Sequence, residues 1–237
     1  MTREPSTVPA ATARRTAGLT QRRLYTLTVG LAIKAALVIA LLPGTPPVQA
    51  ADPASFAQAA ALFDRAQRDE SAIDPAAERW AALSTAEPGD PVLRAYVGAA
   101  TAMRSRTTLL PWKKMGLAEE GLAQIDKALA QLTPAHDAPA YRQVPAALKT
   151  RFTAASTFLS LPSMFNRAER GARLLDEVLK SPQFETSPLP FKAAVWLRAG
   201  LAAAKAGRTD EARQWLSKAA DSGTPVAAAA AAQRQGL

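Results

Sequence analysis

Apolar and small residues recur at helical spacing through most of the chain, and the clearest example is the stretch 193–219. Two stripes lie there on either side of a glycine-containing turn, each with the i, i+3, i+4 spacing of an amphipathic helix. The first stripe is Val195, Trp196, Ala199, Gly200 and Ala203, and the second is Ala212, Trp215, Leu216 and Ala219. We therefore predict two antiparallel helices whose backbones approach closely at Gly200. Gly207 is expected to end the first helix, and Thr209 or Asp210 to cap the second.

The same periodicity predicts three further hairpins before this one and a short helix after it. Aspartate caps a helix and proline suits its first turn, so aspartate-proline pairs mark helix starts. These pairs are Asp52-Pro53, Asp74-Pro75 and Asp90-Pro91. The third hairpin is predicted over 145–161 and 167–180, with Asn166 as N-cap of its second helix, and a polyalanine helix follows Thr224-Pro225. Alternating β-branched runs are scarce, so the predicted fold class is all-α.

Several of these positions resemble the tetratricopeptide repeat, a two-helix hairpin that stacks on its neighbours. In the last hairpin they are Trp196, Gly200, Gly207, Asp210, Glu211, Ala212, Leu216, Lys218 and Ala219, and in the first hairpin Ala76, Trp80, Leu83 and Pro88. The resemblance implies a right-handed stack of about four hairpins over residues 51–237, closed by a C-terminal capping helix. It also implies a binding scaffold of the bacterial envelope, in which first helices line a groove and second helices form the outer wall.

Residues 1–50 differ in character from the rest of the chain. They hold six bases and one acid, and so contribute five of the nine net positive charges. An apolar run over 24–42, interrupted by Lys34, follows the basic segment, and Val48-Gln49-Ala50 provides an A-x-A-like cleavage site. The pattern predicts a signal peptide, with an uncleaved membrane anchor as the alternative. In both cases we expect an exported protein, periplasmic or anchored to the inner membrane and facing the periplasm.

Basic residues are distributed unevenly between the two sets of predicted helices. The first helices of the second to fourth hairpins contain eight bases and no acid, whereas the second helices mix both signs. Six are candidate groove residues, namely Arg94, Arg104, Lys149, Arg151, Lys192 and Arg198, and Arg106 and Lys205 accompany them. In the groove that the resemblance implies, we expect these bases to bind an acidic peptide or a C-terminal carboxylate of a partner protein. The alternative is that they only snorkel over an alanine-rich surface.

Two predicted turns are longer than the repeat pattern requires. The segments 109–121 and 160–171 each contain Leu-Pro, then aromatic and basic residues, then a helix with a glycine. As exposed loops they would form a partner-binding ridge, whose candidate residues are Trp112, Lys113, Lys114, Phe165, Asn166 and Arg167. The alternative is that their aromatic side chains fold back as plugs between hairpins.

Residue types that common catalytic sites require are scarce. The chain has no cysteine and one histidine, His136, which is expected to be exposed in a loop. Glycine-rich phosphate loops, HExxH and G-x-S-x-G are absent from the sequence. We therefore predict a protein that is not an enzyme, needs no cofactor or metal, and binds a protein partner rather than nucleic acid. The alternatives are a structural subunit of a membrane complex and a hydrolase with an unrecognised site.

Overall fold

A computed structural model describes residues 52–141 and 143–237, and the chain is mainly helical there, which confirms the all-α prediction. The helices are α1 Pro53–Ala66, α2 Ile73–Ala86, α3 Pro91–Arg104, α4 Pro111–Ala130, α5 Ala146–Ser160, α6 Ala168–Lys180, α7 Pro182–Glu185, α8 Leu189–Lys205, α9 Thr209–Ala220 and α10 Ala227–Gln235. Two short strands, β1 Pro139–Tyr141 and β2 Val144–Pro145, pair antiparallel before α5. The predicted signal peptide lies outside the described residues.

The helices pack as successive hairpins, α1 with α2, α3 with α4, α5 with α6, and α8 with α9. Neighbouring hairpins meet chiefly through α3, which packs against both α2 and α5. The closing helix α10 lies on α9, where Ala230 is buried beside Leu216 and Ala219. Because an isolated hairpin leaves one apolar face uncovered, this succession supplies each hairpin with a neighbour that buries it.

Glycines set the closest helix contacts. A β-carbon on Gly98 of α3 would lie 2.5 Å from the carbonyl oxygen of Gly121 in α4, and a β-carbon on Gly121 would lie 2.5 Å from the carbonyl oxygen of Gly98. In the last hairpin, a β-carbon on Gly200 would lie 2.6 Å from Cγ of Leu216. These contacts confirm the predicted close approach at Gly200, since any side chain there would displace the facing helix.

Helix ends follow the predictions in part. The carboxylates of Asp52 and Asp90 cap α1 and α3, and Gly207 ends α8 with φ of 73°. The predicted cap at Asn166 is wrong, because this residue has φ of 50° and ends a 3₁₀ turn, whereas Arg167 precedes α6. The expected caps at Thr209 and Asp210 are also wrong: Arg208 precedes α9 and both residues already belong to that helix. Asp210 lies in its first turn, where a negative charge favours the helix dipole.

The core is divided between two aromatic-rich clusters. In the N-terminal cluster, the Trp80 ring stacks on Tyr96 with centroids 4.1 Å apart, and Phe56 contacts both rings edge-on. Tyr141 of β1 joins this cluster against Phe56 and donates its hydroxyl to Asp90. The second cluster centres on Phe158, Val178, Phe184, Phe191 and Val195 of α5 to α8. The strand pair was not predicted, and its place depends on the distant contact between Tyr141 and Phe56.

Candidate binding face

The structure divides the six predicted groove bases into two sets. Four of them contact second helices or connecting segments, and two contact first helices. Arg104 donates to Asp74 of α2 at 2.7 Å, and Arg151 pairs with Glu177 of α6 at 3.5 Å. The positive charge of each of these two residues is thus partly compensated by a carboxylate on a second helix.

Arg94 and Lys192 form the rest of that first set. Arg94 donates to the Gln124 side chain of α4 at 3.2 Å and to the Pro88 carbonyl oxygen at 3.1 Å. Lys192 donates to the Glu185 carbonyl oxygen of α7 at 3.2 Å. The side chain of Arg94 thus links α3 to α4 and to the segment before α3, and that of Lys192 links α8 to the end of α7.

Lys149 and Arg198 form the second set, since their contacts are with first helices. The Lys149 ammonium lies 5.9 Å from the Tyr96 ring centroid of α3 and 5.6 Å from that of Phe191 in α8, within cation–π range. The Arg198 guanidinium of α8 donates to Ser160 Oγ of α5 at 3.2 Å. These contacts define a face that runs across α3, α5 and α8, which we call the first-helix face.

A row of polar side chains on α5 connects the two cations. Lys149, Thr153, Ser156 and Ser160 follow one another at spacings of four, three and four residues, and so share one side of the helix. Thr153 and Ser160 donate their hydroxyls to backbone carbonyl oxygens within α5, while Ser156 Oγ has no hydrogen-bond partner in the described part of the chain. We call this row the α5 stripe. Its helical spacing is visible in the sequence, but hydroxyl side chains carry neither the charge nor the aromatic ring that would mark them as binding residues.

Charges on the first-helix face are incompletely compensated. Within residues 52–141 and 143–237, no carboxylate lies within 4.0 Å of the charged nitrogens of Lys149 or Arg198. Burial lowers the pKa of Arg198, since desolvation disfavours its charged form. Asp64 of α1 lies at the other end of the face, where burial raises its pKa and the positive charge of Lys149 opposes that rise. The face therefore carries positive charge near Arg198 that the protein itself does not neutralise.

The two long turns differ from each other. Trp112, Lys113 and Lys114 are exposed and belong to the first turns of α4, so this part of the predicted loop is helical. In the second turn, Phe165 is partly buried against the core, and Arg167 pairs with Asp126 of α4 at 3.2 Å. Phe165 and Arg167 thus pack onto the molecule, whereas Asn166 and Met164 of the same segment are exposed.

His136 is buried rather than exposed, which corrects the sequence-based expectation. Its Nδ1 accepts a hydrogen bond from the Thr133 backbone N–H at 3.0 Å, so the ring caps a 3₁₀ turn. Nearby, an open depression of about 420 Å³ is lined by both acids and bases, among them Asp137, Arg151, Asp176, Glu177 and Lys180. Among residues 52–141 and 143–237, no group of three or more acidic or histidine side chains is arranged to hold a metal ion.

Comparison of the chain with protein-family models, curated proteins and solved structures gives no match. In the described segments, no helix is both long enough and apolar enough to cross a bilayer. The resemblance to tetratricopeptide repeats therefore stays a prediction, and we infer function from the side chains of the first-helix face.

Proposed function

We propose that the protein is an exported interaction scaffold that binds an acidic peptide segment of a partner protein on its first-helix face. The leader pattern of residues 1–50 supports the export part of this proposal. The succession of hairpins, with small residues at their crossings, supports a tetratricopeptide-like stack. The face carries a row of polar side chains between two cations, which suits an extended acidic peptide better than a small apolar ligand.

The state of Arg198 carries the proposal. Its guanidinium is desolvated enough to lower its pKa, yet its hydrogen-bond partner is the neutral hydroxyl of Ser160. A partly buried cation without a carboxylate is costly, and a ligand carboxylate would relieve that cost through charge-assisted hydrogen bonds. Arg104 and Arg151 already pair with carboxylates, and Arg94 and Lys192 donate to backbone carbonyl oxygens at a helix end or connector, so we assign the site to Arg198 and Lys149.

The distance along α5 determines how far apart the two carboxylates of a ligand should be. Lys149 and Ser160 are eleven residues apart on one helix, which corresponds to roughly 16 Å at 1.5 Å per residue. An extended peptide rises about 3.3 Å per residue, so about five residues cover this distance. We expect the preferred ligand to place two carboxylates about five residues apart, one near Lys149 and one near Arg198.

The test uses a fluorescein-labelled hexaglutamate peptide and anisotropy at low salt. The double variant Lys149→Glu/Arg198→Glu should bind at least about tenfold more weakly than the parent, since each lost charged contact is worth on the order of 1 kcal/mol. Lys127→Glu/Arg173→Glu is the matched control, because it reverses one lysine and one arginine at exposed positions of α4 and α6. Binding to the parent should also weaken as salt rises.

The same experiment separates the alternatives. Equal weakening in both double variants would indicate a general charge effect and would contradict a site on the first-helix face. Absence of binding to the parent would favour a structural subunit without a groove ligand. Far-ultraviolet circular dichroism of all variants should match that of the parent, since Lys127 and Arg173 are exposed and Lys149 and Arg198 are only partly buried.

A further inference from the structure

The start of α4 projects from the molecule. The α3–α4 crossing lies at Gly98 and Gly121, where the two backbones touch. From that crossing α4 extends ten residues back to Pro111, about 15 Å, whereas α3 extends six residues forward to Arg104, about 9 Å. The first buried residue of α4 is Ala118, Met115 and Leu117 are partly covered, and Pro111, Trp112, Lys113 and Lys114 of its first turn are exposed. We call residues 106–115 the α4 tip.

Large apolar side chains are concentrated on the α4 tip. Leu109 is 95% exposed, Trp112 is 69% exposed and Leu110 is 38% exposed. Single exposed apolar residues are common on protein surfaces, but three within four positions of a projecting segment form a patch. An exposed apolar patch of this kind is typical of a surface that binds a partner or a membrane.

The chain segment that carries this patch contains basic residues and no acidic ones. Between residues 103 and 118 the chain contains Arg104, Arg106, Lys113 and Lys114 and no acid. The two arginines pair with Asp74 and Glu70, but in the part of the chain that the structure describes no carboxylate lies within 4.0 Å of either lysine nitrogen. The patch therefore combines exposed apolar side chains with two lysines that face solvent.

The N-terminal end of α4 adds to the positive electrostatic potential of the patch. Leu110 occupies the N-cap position of α4 and makes no side-chain hydrogen bond to the first turn. The Lys114 N–H is bonded to the Leu110 carbonyl oxygen at 2.9 Å, which leaves the N–H groups of Trp112 and Lys113 without a side-chain cap. Uncapped N–H groups at the positive end of a helix dipole favour a bound anion such as a phosphate.

We propose that the α4 tip inserts into the interfacial region of an anionic lipid bilayer. Leu109, Leu110 and Trp112 would enter the boundary between headgroups and acyl chains, where tryptophan is favoured. Lys113 and Lys114 would extend their ammonium groups to lipid phosphates. A flat surface of negative charge over an apolar layer matches both properties of the tip, and this inference is independent of peptide binding on the first-helix face.

The test measures whether Trp112 enters the bilayer. Full-length protein is added to vesicles of phosphatidylcholine with about 30% phosphatidylglycerol, in which the phosphatidylcholine chains carry bromine near the headgroup as a quencher. Parent emission should shift to shorter wavelength and be quenched. Trp112→Phe should remove the quenched component, whereas Trp215→Phe, a matched change at a partly buried tryptophan of α9, should retain it. Any contribution of the first 51 residues is common to all samples.

Two further variants separate the apolar and the charged contributions. Leu109→Ser/Leu110→Ser keeps Trp112 and should lose the quenching, while Lys113→Gln/Lys114→Gln should lose it in anionic vesicles. For the parent, quenching should be weak in pure phosphatidylcholine and should decrease with salt. All these positions are exposed, so circular dichroism should not change.

Equal quenching of the parent and Trp112→Phe would overturn the proposal, because the signal would then come from another tryptophan. Equal quenching in neutral and anionic vesicles would overturn the assigned role of the lysines. An unquenched parent that sediments as a dimer, and becomes monomeric with Leu109→Ser, would show that a second copy covers the tip instead of lipid.

Discussion

At the scale of single residues, Asp90 joins two parts of the fold that are distant in sequence. One carboxylate oxygen accepts the backbone N–H groups of Val92 and Leu93, at 2.7 and 3.1 Å, and so caps α3. The other accepts the hydroxyl of Tyr141, which belongs to the strand pair before α5. Asp90 is buried, and burial raises its pKa from 3.8 to about 6, while the two backbone donors oppose this rise.

This raised pKa predicts a pH-dependent stability. Between about pH 4 and pH 6 the folded protein holds a proton on Asp90 that the unfolded chain releases, so the free energy of unfolding falls as pH rises through this window. The loss should be on the order of 2 kcal/mol, and it should be complete above the folded pKa. Asp90→Asn keeps an acceptor but cannot ionise, so urea unfolding of this variant should show a smaller difference between pH 4.5 and pH 7.5.

Glu87 requires a control, because burial raises its pKa too and its charge adds to the rise at Asp90. Glu87→Gln should retain most of the pH dependence that Asp90→Asn removes. If Glu87→Gln instead removes the pH dependence of stability and Asp90→Asn retains it, the proton held in the folded state belongs to Glu87.

At the scale of helices, the hairpin crossings determine which substitutions the fold tolerates. In Gly200→Leu the new Cβ would lie 2.6 Å from Cγ of Leu216, an atom near the base of a buried side chain. Overpacking of this kind costs about 1 to 3 kcal/mol, and for a chain of this size we expect a drop of the thermal midpoint of roughly 5 °C. Differential scanning calorimetry measures this shift.

Gly116→Leu is the matched control for this crossing. Gly116 is also helical, but a β-carbon there meets nothing within 4 Å, so the change should leave the midpoint unchanged or raise it through better helix propensity. Gly98→Ala should be more damaging than Gly200→Ala, because the clash at Gly98 is with a backbone carbonyl oxygen that cannot rotate away. Equal midpoints for Gly200→Leu and Gly116→Leu would contradict the described register of α8 against α9.

Across the molecule, basic side chains fall into two groups: those bonded to other elements of the chain and those without a carboxylate partner. Arg94, Arg104, Arg151 and Lys192 bond to other elements of the same chain, so they hold hairpins and connectors together. Exposed ion pairs of this kind contribute little stability each, typically below about 1 kcal/mol, but they also remove these bases from partner binding. The first-helix face and the α4 tip each keep two bases that have no carboxylate within 4.0 Å among the described residues.

The N-terminal segment leads to a prediction for the full chain. We expect cleavage after Ala50, so the mature protein should begin at Ala51. Intact-mass spectrometry of protein from the exporting cell should find the mass of residues 51–237. Recovery of a chain that still begins near Met1 would indicate an uncleaved anchor, and the α4 tip would then act beside a second membrane attachment.

The long helices and several of their limits could be predicted from the amino-acid sequence, whereas α7 and the start of α4 at Pro111 could not. Apolar periodicity, the caps at Asp52 and Asp90, and the turn at Gly207 are local signals, because each depends on residues within a few positions. Gly200 was also predictable as a crossing point, since a glycine inside an apolar helical stripe has few other uses.

Where each side chain points and what it meets depended instead on tertiary packing. Bases on one helix face solvent, a carboxylate or an aromatic ring according to the rotation of that helix against its neighbours, so Arg151 and Arg198 have different surroundings despite their similar positions in predicted first helices. The exposure of Trp112 depends on how far α4 extends past α3, and the burial of His136 on the turn that precedes the strand pair. These are outcomes of long-range packing, which hydrophobic periodicity does not encode.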